Sequence, residues 1–230
     1  REGCDFILAL GGGSVMDASK AIAAMATNAG DVWDYISGGT GKGKTLEKDP
    51  LPLIAVTTTA GTGSEVDAWG VISNPETNEK IGFGGDDRLF PVLALVDPQL
   101  MLTVPPQYTA YQGFDALFHS TEVHIGKFSN GVSDMFTKAA IEAIAAYLPR
   151  AVADGNDLEA RSKVAFANTM SGYAMVVAST TSEHSLEHAM SAFHHELPHG
   201  AGLIMISKAF YGHFAEKHAC DERMIEMARL

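Results

Sequence analysis

The chain has 230 residues, 46% of them apolar, and a formal charge of −12 from 28 acidic and 16 basic side chains. That length accommodates one large or two modest domains with real cores, and the acidic balance argues against nucleic acid or an anionic membrane surface as a partner. Cys4 and Cys220 are the only cysteines and lack CxxC spacing, which excludes a disulfide scaffold and fits the reducing cytoplasm. No apolar run reaches the roughly 18 residues of a membrane span. The chain opens at Arg1 without a methionine, enters an apolar stretch almost at once and stops in a helical-looking MIEMARL. A fragment lacking both natural ends is expected.

FILALGGGSVMDASKAIAAMA reads as a buried strand over 6–10, a glycine turn and a helix. Gly11, Gly12 and Gly13 let the backbone turn sharply and approach a ligand closely. Ser14 is expected to cap the helix, whose N-terminal N–H groups and dipole favour an anion such as a pyrophosphate. A second strand, LPLIAV, runs into TTTAGTGSEV, where Thr58, Thr59, Thr62 and Ser64 offer hydroxyls beside glycines. Ligands of open α/β sheets gather at such strand ends. The stretch 71–85 reads as a hairpin or loop carrying Lys80, and FPVLALVD as a third strand ending at Asp97-Pro98. Continuous apolar runs separated by helices predict a parallel sheet covered on both faces.

After TVPPQ the composition shifts to alanine- and methionine-rich helical patterns. A boundary is expected within 97–106, giving an α/β dinucleotide-binding (Rossmann-like) domain over 1–102 and an all-helical domain over 103–230. Helices are predicted at 108–126, 132–148 (opened by Ser133 or Asp134), 157–179, 182–193 and 198–217. The first of these carries Asp115, His119 and Glu122; the i,i+4 pair Asp115/His119 shares one face, about 6 Å apart. A charge among Ala116, Leu117 and Phe118 needs a partner. A distant stretch, EHSLEHAMSAFHHELPHG, holds five histidines in sixteen residues. His184 and His188 are again i,i+4, His194 and His195 fall in a loop, and Pro198-His199-Gly200 looks like a helix start. A carboxylate with several imidazoles suits a divalent transition metal, Fe2+ or Zn2+. The absence of HExxH argues against a zincin protease.

Taken together, GGGSVMDASKAIA, TTTAGTGSEV, VDPQLMLTVPP, GFDALFHSTE and HSLEHAMSAFHHELPHGAGL resemble the iron-containing (group III) alcohol dehydrogenases, in the family's order and over nearly the whole chain. The resemblance implies a dinucleotide-binding α/β domain followed by a helical metal-binding domain, a fold shared with dehydroquinate synthase. Carried over by motif, Asp115, His119, His184 and His199 are the metal ligands. Gly12, Gly13 and Ser14 hold the pyrophosphate, with Asp17 beside them. Thr58, Thr59, Thr62, Ser64 and Val66 line the cofactor cleft, and Lys80 matches a lysine near the nicotinamide ribose. His188 corresponds to a histidine near the substrate and is the alternative to His184 as third ligand. His184 is preferred for its place at the start of the motif, although the interval to His199 is one residue longer than the commonest pattern. Gln112, Phe118 and Thr121 depart from the usual residues and are expected to shape the substrate pocket.

The implied activity is hydride transfer between a primary alcohol or diol and NAD or NADP, on a divalent ion (Fe2+ first, Zn2+ second), with His188 relaying the proton. A homodimer or higher homo-oligomer is implied as well. Dehydroquinate-synthase-like lyases and glycerol dehydrogenases use the same fold. The lyase is disfavoured because no arginine cluster awaits a phosphorylated substrate. A non-catalytic relative is disfavoured by the intact ligand spacing.

Overall fold

The computed structural model describes residues 3–230. Its contacts define two compact units, Arg1–Thr58 with Ser64–Asp97, and Thr59–Gly63 with Pro98–Leu230. The division is therefore not a single cut near 102. The short stretch Thr59–Gly63 belongs with the helices because its backbone bonds there: the Gly63 amide donates to Asn168 Oδ1 at 2.8 Å and the Ala60 amide to Gln112 Oε1 at 3.4 Å.

The first unit runs β1 (Ile7–Gly11), α1 (Gly13–Met25), β2 (Leu53–Thr57), β3 (Trp69–Asn74), β4 (Glu79–Gly84) and β5 (Leu93–Val96). A parallel sheet of order β1-β2-β5 is joined in register, with Ala9, Ala55 and Ala94 in one row. These small side chains let α1 lie close on that face, and Met16 and Leu53 complete the buried layer. The opposite face carries the rows Leu8–Ile54–Leu93 and Leu10–Val56–Leu95, and there Leu8, Leu10 and Leu93 are more than half exposed. Burial on both faces is thus not found among the described residues. An apolar run alone does not say how many layers cover it.

The stretch 71–85 is a hairpin, with β3 antiparallel to β4 and Ser73 opposite Lys80. Its turn is closed by Asn78 at φ 51° and by Asn74 Oδ1 accepting from the Glu76 amide. Asparagine tolerates that left-handed conformation better than most residues. Ser14 is not the cap of α1: Gly12 is, its carbonyl accepting from the Val15 and Met16 amides. The helix starts as soon as the glycine turn ends, which leaves Ser14 exposed within the first turn.

The second unit is helical: α2 (Pro106–Ile125), α3 (Gly131–Ala153), α4 (Leu158–Val177), α5 (Glu183–Phe193), α6 (His199–Glu216) and α7 (Asp221–Met227). Helices α2, α3 and α4 pack on one another, and α6 packs on both α5 and α2. Neither Ser133 nor Asp134 opens α3. Asn130 does, in a reciprocal capping box with Ser133, because a side-chain oxygen reaches the N–H groups two and three residues on. The same helix continues past Pro149 to Ala153, where burial of Leu148 and Ala151 holds the last turn. None of the described helices is long and apolar enough to cross a membrane.

Candidate metal centre

Asp115 and His119 lie on the buried face of α2, at 4% and 8% exposure. The helix can sink there because Gly113 has no Cβ, which would otherwise strike Leu148 of α3. Three imidazoles surround one oxygen of the Asp115 carboxylate. Oδ1 lies 3.2 Å from His184 Nε2, 3.4 Å from His199 Nε2 and 3.5 Å from His119 Nδ1. The donor atoms of Asp115, His184 and His199 all lie within 4.8 Å of one another. His119 stands beside this trio, stacked on His184 with ring centroids 4.0 Å apart. Its Nδ1 is 3.3 Å from the Gly61 carbonyl oxygen.

Each flanking helix delivers its histidine for a local reason. His199 is the first residue of α6, after Pro198, and the missing N–H of a proline costs nothing at a helix start. Gly200 then allows α6 to touch α2, since a Cβ there would overlap the Tyr111 carbonyl oxygen. Helix α5 has no capping bond from its own Ser182. Its first amides are capped instead by Glu122 of α2, which accepts from Glu183 N at 3.1 Å and His184 N at 3.0 Å, and from Thr181 Oγ1 at 2.8 Å. A carboxylate is well placed at a helix N-terminus. Glu122 also bonds His184 Nδ1, and Glu187 bonds His199 Nδ1.

Sequence reasoning noted Glu122 only for its spacing and missed Glu187 altogether. The available signal was an acidic residue three positions after His184 on the same helix, at a position that is fully buried. These carboxylates leave the Nε2 atoms of His184 and His199 aimed at Asp115. Glu122→Gln is expected to weaken divalent-ion affinity about 10- to 100-fold, the usual effect of losing a partner that orients a ligand, as read by competition with a chromophoric chelator. Unchanged affinity would leave Glu122 with its capping role only.

The charges are strongly coupled. Burial pushes the Asp115 carboxyl up, but His119, His199 and His184 outweigh it and hold the group well below the usual carboxylate range. Burial and the neighbouring His184 push His119 down to about 3. For His184 burial is overcome by Asp115 and Glu122, and its pKa rises to about 10. His199 is raised in the same way, by Asp115 and Glu187 against burial. A buried carboxylate facing several imidazoles, two of them held at the far nitrogen by glutamates, is a donor set that fits a borderline divalent cation.

His188 borders this cluster, its ring centroid 6.3 Å from that of His184 and 5.3 Å from that of His199. It also forms a second group of convergent donors with Glu187 and His199. His194 and His195 are exposed in the loop after α5. Phe118 stacks on Tyr211 of α6, whose hydroxyl is bonded to Thr121, and Gln112 lines a small cavity with Ala60, Thr109 and Arg161.

The residues singled out for a dinucleotide fall in two places. In the first unit, Gly12, Gly13 and Ser14 form the start of α1, and the Thr58 amide donates to the Gly11 carbonyl at 3.0 Å, which ties the ends of β1 and β2 together. Asp17 accepts from Ser64 Oγ at 2.7 Å and from the Val71 amide at 2.8 Å. Ser64 and Val66 form a short helical turn, and Lys80 is on β4. Thr59 and Thr62 belong to the second unit, with Gly61 and Gly63.

Residues 1–98 match the family described as iron-containing alcohol dehydrogenase, and residues 109–230 its C-terminal domain. The chain belongs to the iron-containing alcohol dehydrogenase family. It is 35% identical over 226 residues to an NAD-dependent methanol dehydrogenase of Bacillus methanolicus, covering 94% of this chain and 58% of that one. A solved archaeal halo-thermophilic alcohol dehydrogenase from a Red Sea brine pool superposes with a TM-score of 0.89 at 40% identity, over 94% of this chain and 54% of the other. Sulfoacetaldehyde reductase of Bifidobacterium kashiwanohense, solved in complex with NAD+, gives 0.83 at 36% identity, over 92% and 55%. The chain spans about half the length of these relatives.

Proposed function

We propose that this protein belongs to a metal-dependent alcohol dehydrogenase that transfers a hydride between a primary alcohol or diol and NAD(P). The observation that carries the reading is the Asp115 carboxylate encircled by His119, His184 and His199, with Glu122 and Glu187 behind two of the rings. Those four residues would hold a divalent ion; the family description favours Fe2+, while such donors bind Zn2+ more tightly at equal availability, so the occupant follows the supply. When bound, such an ion lowers the pKa of an alcohol oxygen and polarises a carbonyl.

The chain's own groups do the rest. The start of α1 at Gly12, Gly13 and Ser14 presents N–H groups to a pyrophosphate. By the family resemblance Thr58, Thr59, Thr62, Ser64, Val66 and Lys80 would supply hydroxyl, backbone and cationic contacts to a dinucleotide, and Asp17 braces Ser64. Glu122 and Glu187 fix the ligand rings. His188, beside His199, would take up or return the alcohol proton, which an imidazole can do near neutral pH. A cytoplasmic homodimer is the setting the family resemblance favours, and NAD the cofactor the relatives favour.

The test is alcohol-dependent reduction of NAD+ and NADP+ after loading with Fe2+ or Zn2+, alongside ion content, for the unaltered protein and His199→Ala. Turnover of a primary alcohol by the unaltered protein, lost together with the ion in the variant, is the expected result. Full activity in His199→Ala would sink the assignment.

A further inference from the structure

Among the described residues Lys20 is the largest fully buried side chain, with 0% of it exposed. It sits on α1 seven residues after Gly13, about 10 Å along the helix. Its ammonium contacts four acceptors: Ser64 O at 2.7 Å, Ser64 Oγ at 2.8 Å, Asp67 Oδ1 at 2.7 Å and Trp69 O at 2.5 Å. Asp67 Oδ1 in turn accepts from the Trp69 amide, and Asp17, one turn before Lys20, accepts from Ser64 Oγ and the Val71 amide. Every acceptor of the ammonium lies in the stretch 64–69 that leads from the second glycine-rich turn into β3.

We propose that Lys20 is a positioning residue for the dinucleotide: it fixes the 64–69 stretch against α1, so that Ser64 and Val66 keep one geometry relative to Gly12, Gly13 and Ser14. This rests on the reading of those residues as the cofactor site. The ammonium is sealed from solvent, so its action runs through the backbone it holds. Stability is a weak explanation for it. A buried ion pair replaced by uncharged groups of similar size is often neutral or stabilising, whereas removal of one partner strands a charge. What an uncharged substitute cannot supply is a hub of three N–H donors meeting two carbonyls, a hydroxyl and a carboxylate at once.

The experiment uses the complete protein, with NADH as the probe followed by its fluorescence, together with melting temperature and ion content. In the double variant Lys20→Met/Asp67→Asn no charge of the pair is stranded, and the asparagine still accepts from the Trp69 amide. The melting temperature and ion content are expected to stay near those of the unaltered protein while the NADH dissociation constant rises at least about tenfold. NADH affinity within about twofold of the unaltered protein would overturn the proposal. Should the double variant not fold, Asp67→Asn alone decides, with at least about threefold weaker NADH binding at unchanged ion content expected and no change overturning it. An unaltered protein that binds no NADH removes the cofactor reading itself and the proposal with it. An unaltered protein that binds NADH, paired with a variant that binds equally well, removes only the role of Lys20.

Discussion

Asp115→Asn is expected to abolish retention of the divalent ion while leaving the helical unit folded. The substitution keeps the shape and an oxygen that can still accept from an imidazole, so the contacts among α2, α5 and α6 survive. What it removes is the negative charge that three imidazoles converge on. Loss of the one anionic ligand is expected to cost at least about a hundredfold in ion affinity, about 2.8 kcal/mol. With the ion goes its effect on the alcohol oxygen, so alcohol-linked NAD(P)+ reduction should fall to background. Ion content by mass spectrometry, with circular dichroism of the same sample, checks the prediction. A variant that keeps stoichiometric ion would show that the histidines suffice and that Asp115 is a structural partner.

Gly200→Ala is expected to damage the centre without touching a ligand. In an unconstrained helix alanine is more favourable than glycine by about 1 kcal/mol, so propensity alone predicts a stabilised protein. Here the added methyl would overlap the Tyr111 carbonyl oxygen, a backbone atom that cannot rotate away. Overpacking of this kind costs about 1–3 kcal/mol, and the least costly relief is for the start of α6 to draw back from α2, taking His199 with it. A melting temperature lower by about 5 °C and ion affinity lower by at least about tenfold are expected together. An increase in melting temperature at unchanged affinity would show that the overlap is relieved elsewhere.

The elements most open to sequence reading were those whose signal is local. The apolar runs before GGGS and before TTTAGTGSEV predict β1 and β2 to within one or two residues, and alanine-rich periodicity predicts the five long helices with small shifts at their ends. Features that depend on distant packing were harder to see. The extension of α3 past Pro149 rests on the burial of Leu148 and Ala151, and the single covered face of the β1-β2-β5 sheet rests on which helices are present. The spacing of Asp115 and His119 places both on one face of α2, but it cannot bring His184 and His199 to the same oxygen. That meeting depends on Glu122 capping a different helix and on Gly200 admitting a third. Sequence reasoning passed over Lys20; only the path of 64–69 over α1 makes it an interior charge.

Glu122 does two things with one carboxylate: it seals the first amides of α5 and it turns the His184 ring. Forming the first turn of α5 and readying the centre are therefore a single cooperative event. A free-energy change felt by either is shared by the other, as linkage requires. A substitution that frays the first turn of α5 is therefore expected to disorder the His184 ring as well, and one that frees the ring to loosen the turn.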